Sequence, residues 1–165
     1  MRSLWKALLA AWLLAAAAVG CSIGVPASDG PAPPPSETDA RAYLATVVGL
    51  AMRGDFEGLC SVGSGTCEEQ LRDAGRDAVP PAPPRIVGTR LIQPRAVVGG
   101  WSSGGRVLEV CGIDGRGDPY FDEVLVFREG PRLISIGTVY WSRIRIAESQ
   151  AAGGPQLTPP PECPA

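Results

Sequence analysis

The chain has 165 residues, with 15 Lys or Arg, 17 Asp or Glu and no His, for a formal net charge of −2. Two of the basic residues, Arg2 and Lys6, stand in the first 20 positions. The remainder therefore holds thirteen basic groups against seventeen acidic ones, a net of −4 that argues against a phosphate-neutralising nucleic-acid surface.

The first predicted element is a secretory signal. Arg2 and Lys6 form a positive n-region, and residues 7–19 are apolar and uncharged. That run is shorter than the roughly 20 residues a bilayer core requires, and it matches an h-region. It ends in Ala18-Val19-Gly20-Cys21, small residues followed by a cysteine. This resembles the lipobox of bacterial lipoproteins, although Leu is usual where Ala18 stands. The resemblance implies that the Cys21 thiol takes a diacylglyceryl group and that cleavage removes the signal peptide, 1–20. An ordinary secretory signal with an incidental cysteine is the alternative. Residues 21–35, which include "SIGVPASDGPAPPP", are rich in Pro, Gly, Ser and Ala and predict a tether. Two acyl chains, at about 0.8 kcal/mol per buried methylene, would hold the chain to the outer, extracytoplasmic face of a cell membrane.

Residues 36–146 predict one α+β domain, long enough for a single core. Ser36-Glu37-Thr38-Asp39 has the form of a capping box, and Tyr43, Leu44, Val47, Val48 and Ala51 follow at helical spacing. Gly54 ends that helix. "DFEGLC" predicts a short second turn with Phe56 and Leu59 inward. Thr66-Cys67-Glu68-Glu69 predicts another capping box, opening a helix through Leu71 that fails near Gly75. "VPPAPP" at 79–84 forbids helix and marks an extended crossing.

Strands are predicted over 85–92, 106–114, 120–129 and 132–146, all rich in Val, Ile, Leu and aromatics. "GGWSSGG", "GRGDP" and "EGP" separate them as turns. The last strand is long, and Gly137 offers a place for it to bend. Residues 147–165, Pro-rich and poor in apolar side chains, predict a disordered tail. Helices followed by an antiparallel meander place the helices on one face of a four-stranded, or larger, curved sheet.

Beyond Cys21 stand Cys60, Cys67, Cys111 and Cys163, an even number that suits disulfides in an exported chain. Three pairings are open. Cys60 and Cys67 bracket a short loop that closes easily, which would leave Cys111 for Cys163. Four free thiols are the alternative. A tetrathiolate zinc site is disfavoured because no C-x2-C pair occurs. Neither a metal nor a cofactor is expected.

The order of elements, with the phrase "ARAYLATVVGLAMRGDFEGLC", resembles the nuclear transport factor two-like family over roughly residues 37–146. That resemblance implies a cone-shaped domain enclosing a pocket, of a kind found in lipid-anchored actinobacterial proteins. Some members bind small molecules, and ketosteroid isomerase-type members use an aspartate base. None of the family's catalytic positions is carried over to this chain, so no catalytic residue is assigned.

Several motifs carry competing readings. Gly100-Trp101-Ser102-Ser103-Gly104 fits G-x-S-x-G, but a nucleophile elbow needs strand-turn-helix and a histidine, so a hairpin turn is expected. Arg53-Gly54-Asp55 and Arg116-Gly117-Asp118 read as helix-end and turn chemistry. Asp114, Asp118, Asp122 and Glu123 gather acid without the spacing of a calcium loop, which predicts a solvated turn. About half of Trp101, Tyr120, Phe121, Phe127, Tyr140 and Trp141 are expected in the core.

With no His, and no Lys beyond Lys6, proton transfer near neutral pH falls to a carboxylate of raised pKa, a thiol or a phenol. Two functional readings follow. One is a non-catalytic envelope lipoprotein whose domain takes a small apolar ligand or an envelope protein. The other is a carboxylate-dependent enzyme of isomerase or cyclase type, with Asp55 or Asp122 as base.

Overall fold

The structure, a computed structural model, describes residues 31–97, 100–146 and 163. Helix α1 (Glu37–Met52) begins where Ser36 accepts a hydrogen bond from the Asp39 amide and the Asp39 carboxylate accepts one from the Ser36 amide. The capping box is therefore formed, and two of the first-turn donors are satisfied. Its apolar stripe, Ala40, Tyr43, Leu44, Val47, Val48 and Ala51, is buried. Gly54, at φ +70°, turns the chain into α2 (Phe56–Ser61), which is capped by the Asp55 carboxylate accepting from the Gly58 amide.

Helix α3 (Cys67–Ala74) starts without the expected capping box. Thr66 sits in the helical region of backbone space and makes no cap bond. Its hydroxyl accepts from Gln70 Nε2 instead. A disulfide joins Cys60 at the end of α2 to Cys67 at the start of α3, and that link holds the entry to the helix. A single 3₁₀ turn (Arg76–Ala78) precedes the Pro-rich crossing.

The main sheet is antiparallel and four-stranded, in spatial order β1 (Arg85–Ile92), β4 (Gly105–Ile113), β5 (Pro119–Glu129) and β6 (Arg132–Ile136). Between β1 and β4 a small hairpin is inserted, β2 (Arg95–Val97) with β3 (Gly100–Ser102). The "GGWSSGG" segment is therefore partly strand rather than wholly turn. The pairing runs Leu108 opposite Val124 and Val110 opposite Asp122. Leu108, Val110, Tyr120, Val124 and Val126 thus share the face that packs on the helices. The opposite face also carries buried side chains, namely Val107, Cys111, Phe121 and Glu123.

The last predicted strand is cut short. Pairing with β5 stops at Ile136, and Gly137 takes φ +80°. A Cβ there would stand 2.4 Å from the Glu123 carbonyl oxygen, so close approach as well as backbone conformation requires glycine. Beyond it, Val139, Tyr140 and Trp141 enter the helix-side core. Residues 142–146 then run along the edge of β5 that β6 leaves open, with the Glu123 amide donating to the Ile144 carbonyl at 3.2 Å. The β-branched and aromatic residues at 138–141 are consistent with a strand, but the turn at Gly137 carries them into the core instead.

Candidate functional site

Cys21, the expected lipidation site, lies outside the described residues, as do the signal peptide and most of the tether. Pro35, at the tether's end, is buried, and its carbonyl accepts from Arg106 Nε at 3.3 Å. The other four cysteines form two disulfides, Cys60–Cys67 and Cys111–Cys163, with Cα separations of 5.3 and 5.8 Å. The second joins β4 to a residue 52 positions along the chain. Of the expected tail, 147–165, only Cys163 is among the described residues.

The densest concentration of chemistry lies on β5. Asp122 and Glu123 are both fully buried, and alternation sends them to opposite faces of the sheet. On the helix side, Asp122 Oδ1 accepts from the Glu123 amide at 2.7 Å. Its Oδ2 accepts from the Arg143 amide at 2.7 Å and from the Ser142 hydroxyl at 3.3 Å. Burial pushes the Asp122 carboxyl up to about 7, against the opposing pull of backbone donors at 123, 144 and 143 and of the Ser142 hydroxyl. On the far side, Glu123 Oε1 pairs with Arg90 Nη2 at 3.0 Å, and Oε2 accepts from the Ile146 amide at 2.6 Å. Two consecutive carboxylates thus grip segment 142–146 by its backbone from both faces of one strand.

Arg143 is held at φ +63°, in the left-handed region. Its amide is fixed by Asp122 and its guanidinium donates to the Pro119 carbonyl at 3.3 Å. Asp114, also buried, lies 3.7 Å from the same guanidinium, and Asp114 Oδ1 accepts from the Arg116 and Asp118 amides at 2.9 Å each. The acid cluster is therefore no solvated turn, because Asp114, Asp122 and Glu123 are buried and each is engaged with backbone amides. Only Asp118 of the four is exposed.

Beneath this region Tyr120 and Tyr140 lie with ring centroids 6.2 Å apart, and Trp141 meets Tyr140 edge-on at 5.0 Å. Burial is the largest cause raising both phenols, so both are neutral donors. Neither hydroxyl has a hydrogen-bond partner among the described residues. Tyr43 contrasts with them, since its hydroxyl donates to the Val62 carbonyl and lies 3.3 Å from Ser135 Oγ.

The two nominated carboxylate bases are placed differently. Asp55 is exposed and caps a helix, whereas Asp122 is buried beside the phenols. Arg53-Gly54-Asp55 joins α1 to α2, and Arg116-Gly117-Asp118 lies in the β4–β5 turn, so both are the local chemistry expected. The sequence carried a signal for Asp122 and Glu123 that composition alone obscures. In "YFDEVLVF" both alternating sets, Tyr120/Asp122/Val124/Val126 and Phe121/Glu123/Leu125/Phe127, are apolar except for one acid each. A carboxylate inside each apolar set marks a strand covered on both faces that must find partners for two buried charges. Ser142 and Arg143 carried no such mark, because they serve through a bend after Gly137.

Among the described residues, no group of three or more His, Cys, Asp or Glu is arranged to hold a metal ion. No helix among them is long and apolar enough to cross a membrane. The chain matches no protein-family model, no curated protein and no solved structure.

Proposed function

We propose that this protein is an extracytoplasmic lipoprotein, anchored through a lipid on Cys21, whose α+β domain serves as a non-catalytic binding or interaction module in the cell envelope. The observation that supports it is the cysteine pairing. Four of the five cysteines are consumed in two disulfides, a state suited to an oxidising compartment, and Cys21 is left over directly after an apolar run. The engagement of Asp122 and Glu123 with backbone amides supports a structural rather than a catalytic role for them. On the same reading the sheet curves into the cone of nuclear transport factor two-like domains. The register shift between Ile86 and Gly88, which adds local twist, is consistent with that curvature. The test is an intact mass of the protein extracted from its own membrane. A mass beginning at Cys21 plus diacylglyceryl, less four hydrogens, is expected. An unlipidated mass beginning elsewhere overturns the anchor.

One observation favours the enzymatic alternative. Asp122, pushed up to about 7, shares a face of β5 with the buried phenol of Tyr120, a combination suited to proton abstraction and donation. Isomerisation of a small cyclic ketone by the native protein, lost in Asp122→Asn with the fold retained, would replace binding with catalysis.

A further inference from the structure

We propose that the hydroxyls of Tyr120 and Tyr140 together hold one neutral oxygen acceptor sealed in the helix-side core: an internal water, or the carbonyl or hydroxyl of a small ligand. Tyr120 and Tyr140 are 3% and 0% exposed, their rings are neighbours, and each hydroxyl lacks a partner among the described residues. A buried hydroxyl without a partner is costly, and Phe would fill either ring position without that cost. The fold satisfies a buried phenol where protein acceptors exist, as Val62 and Ser135 do for Tyr43. Two adjacent unsatisfied phenols therefore point to an acceptor that the described residues do not supply.

Backbone geometry is consistent with a position kept for Tyr120. It stands opposite Gly112 in the β4–β5 register, and a Cβ at Gly112 would lie 2.8 Å from the Tyr120 hydroxyl oxygen. The ring therefore crosses the one position in that pair with no side chain to obstruct it. The nearby charges set the chemical class. Asp122 and Asp114 are the carboxylates that act on Tyr120, and the Arg143 guanidinium is directed to Pro119, Asp114 and Asp118. Two neutral phenols, beside a guanidinium already engaged by Asp114, Asp118 and the Pro119 carbonyl, favour a neutral acceptor over an anion. This inference does not depend on the lipid at Cys21.

The test uses the full chain with Tyr120→Phe, Tyr140→Phe and the double substitution, each a change that keeps the ring. Each single variant is expected to melt about 4 °C lower than the native protein. The double variant should fall by clearly less than the sum, because the first substitution already releases the shared acceptor. Single variants that melt at or above the native temperature overturn the proposal, and strictly additive losses overturn the sharing. Native mass spectrometry of the protein purified from its own cells separates the two sources. A bound small molecule that the double variant loses identifies a ligand, and no added mass, together with the non-additive melting, identifies a water.

Discussion

The two disulfides differ in the length of chain they enclose, and that difference sets a quantitative expectation. Replacing Cys111 and Cys163 with Ala should cost more than replacing Cys60 and Cys67 with Ala. With separations of 52 and 7 residues, loop-closure entropy of about −2.1 − 1.5R ln n cal/mol/K gives roughly 4.1 and 2.4 kcal/mol at 25 °C. Cys111 and Cys67 are both buried, so each pair also loses one buried sulfur and that cost largely cancels. The remaining difference, about 1.8 kcal/mol, corresponds to roughly 1 M urea at a slope near 1.7 kcal/mol/M. Equilibrium urea unfolding of the two double variants, with no free partner thiol left to reshuffle, measures it. Equal midpoints, or a lower midpoint for the Cys60/Cys67 variant, would refute the reasoning. They would show that the long link does little to constrain the unfolded chain.

Three further outcomes follow from the β5 edge. Gly137→Ala should lower stability by about 2 kcal/mol or more, because a left-handed φ is combined with a Cβ 2.4 Å from the Glu123 carbonyl; an unchanged urea midpoint would contradict this. Glu123→Gln removes the charge from a buried group bonded to Arg90 and the Ile146 amide, at a cost of about 2 kcal/mol by chemical unfolding. Hydrogen exchange at the Ile146 amide should quicken in that variant, and protection equal to native would show that the bond carries little. The Asp122 carboxyl is raised to about 7 by burial, so the folded chain keeps a proton that the unfolded chain releases near pH 4. Its contribution is therefore full below about pH 4 and is lost as pH rises towards 7, and Asp122→Asn should remove that slope from the stability profile. Identical pH profiles for the native and Asn proteins would remove Asp122 as the source.

Most of the fold was legible because its signals are local. Ser36 and Asp39 close a capping box within one turn, and the stripe from Ala40 to Ala51 has only one face to bury. Strand β1 over 85–92 matches its prediction residue for residue, β5 begins one residue earlier than predicted, and β4 is shifted by one residue at each end. Where the structure departs from these local signals, contacts outside the local pattern decide. Thr66 has the composition of a cap, yet its helical backbone and its hydroxyl's bond from Gln70 leave no cap bond at the start of α3. Residues 138–141 are rich in strand-forming side chains, but the carbonyl of Glu123, fourteen positions earlier, leaves room at Gly137 only for a turn.

The site was legible in a different sense. Four acids near one hairpin suggest solvation when they are counted, whereas their phase within β5 implies burial. A charge placed at an apolar position on each face must be met by donors, and β5 has an edge that β6 leaves unpaired over 119–124. A segment passing that edge offers backbone amides at a spacing side chains cannot match, so Asp122 takes Arg143 and Glu123 takes Ile146. The acids therefore account for why the chain after Gly137 leaves the sheet and still stays beside it. They also account for the left-handed Arg143, since the Asp122 bond to its amide fixes that residue in a conformation few non-glycine residues adopt. Asp122 is occupied by those donors and by Ser142, and it makes no hydrogen bond to either phenol. The Tyr120 and Tyr140 hydroxyls are then left without a hydrogen-bond partner among the described residues.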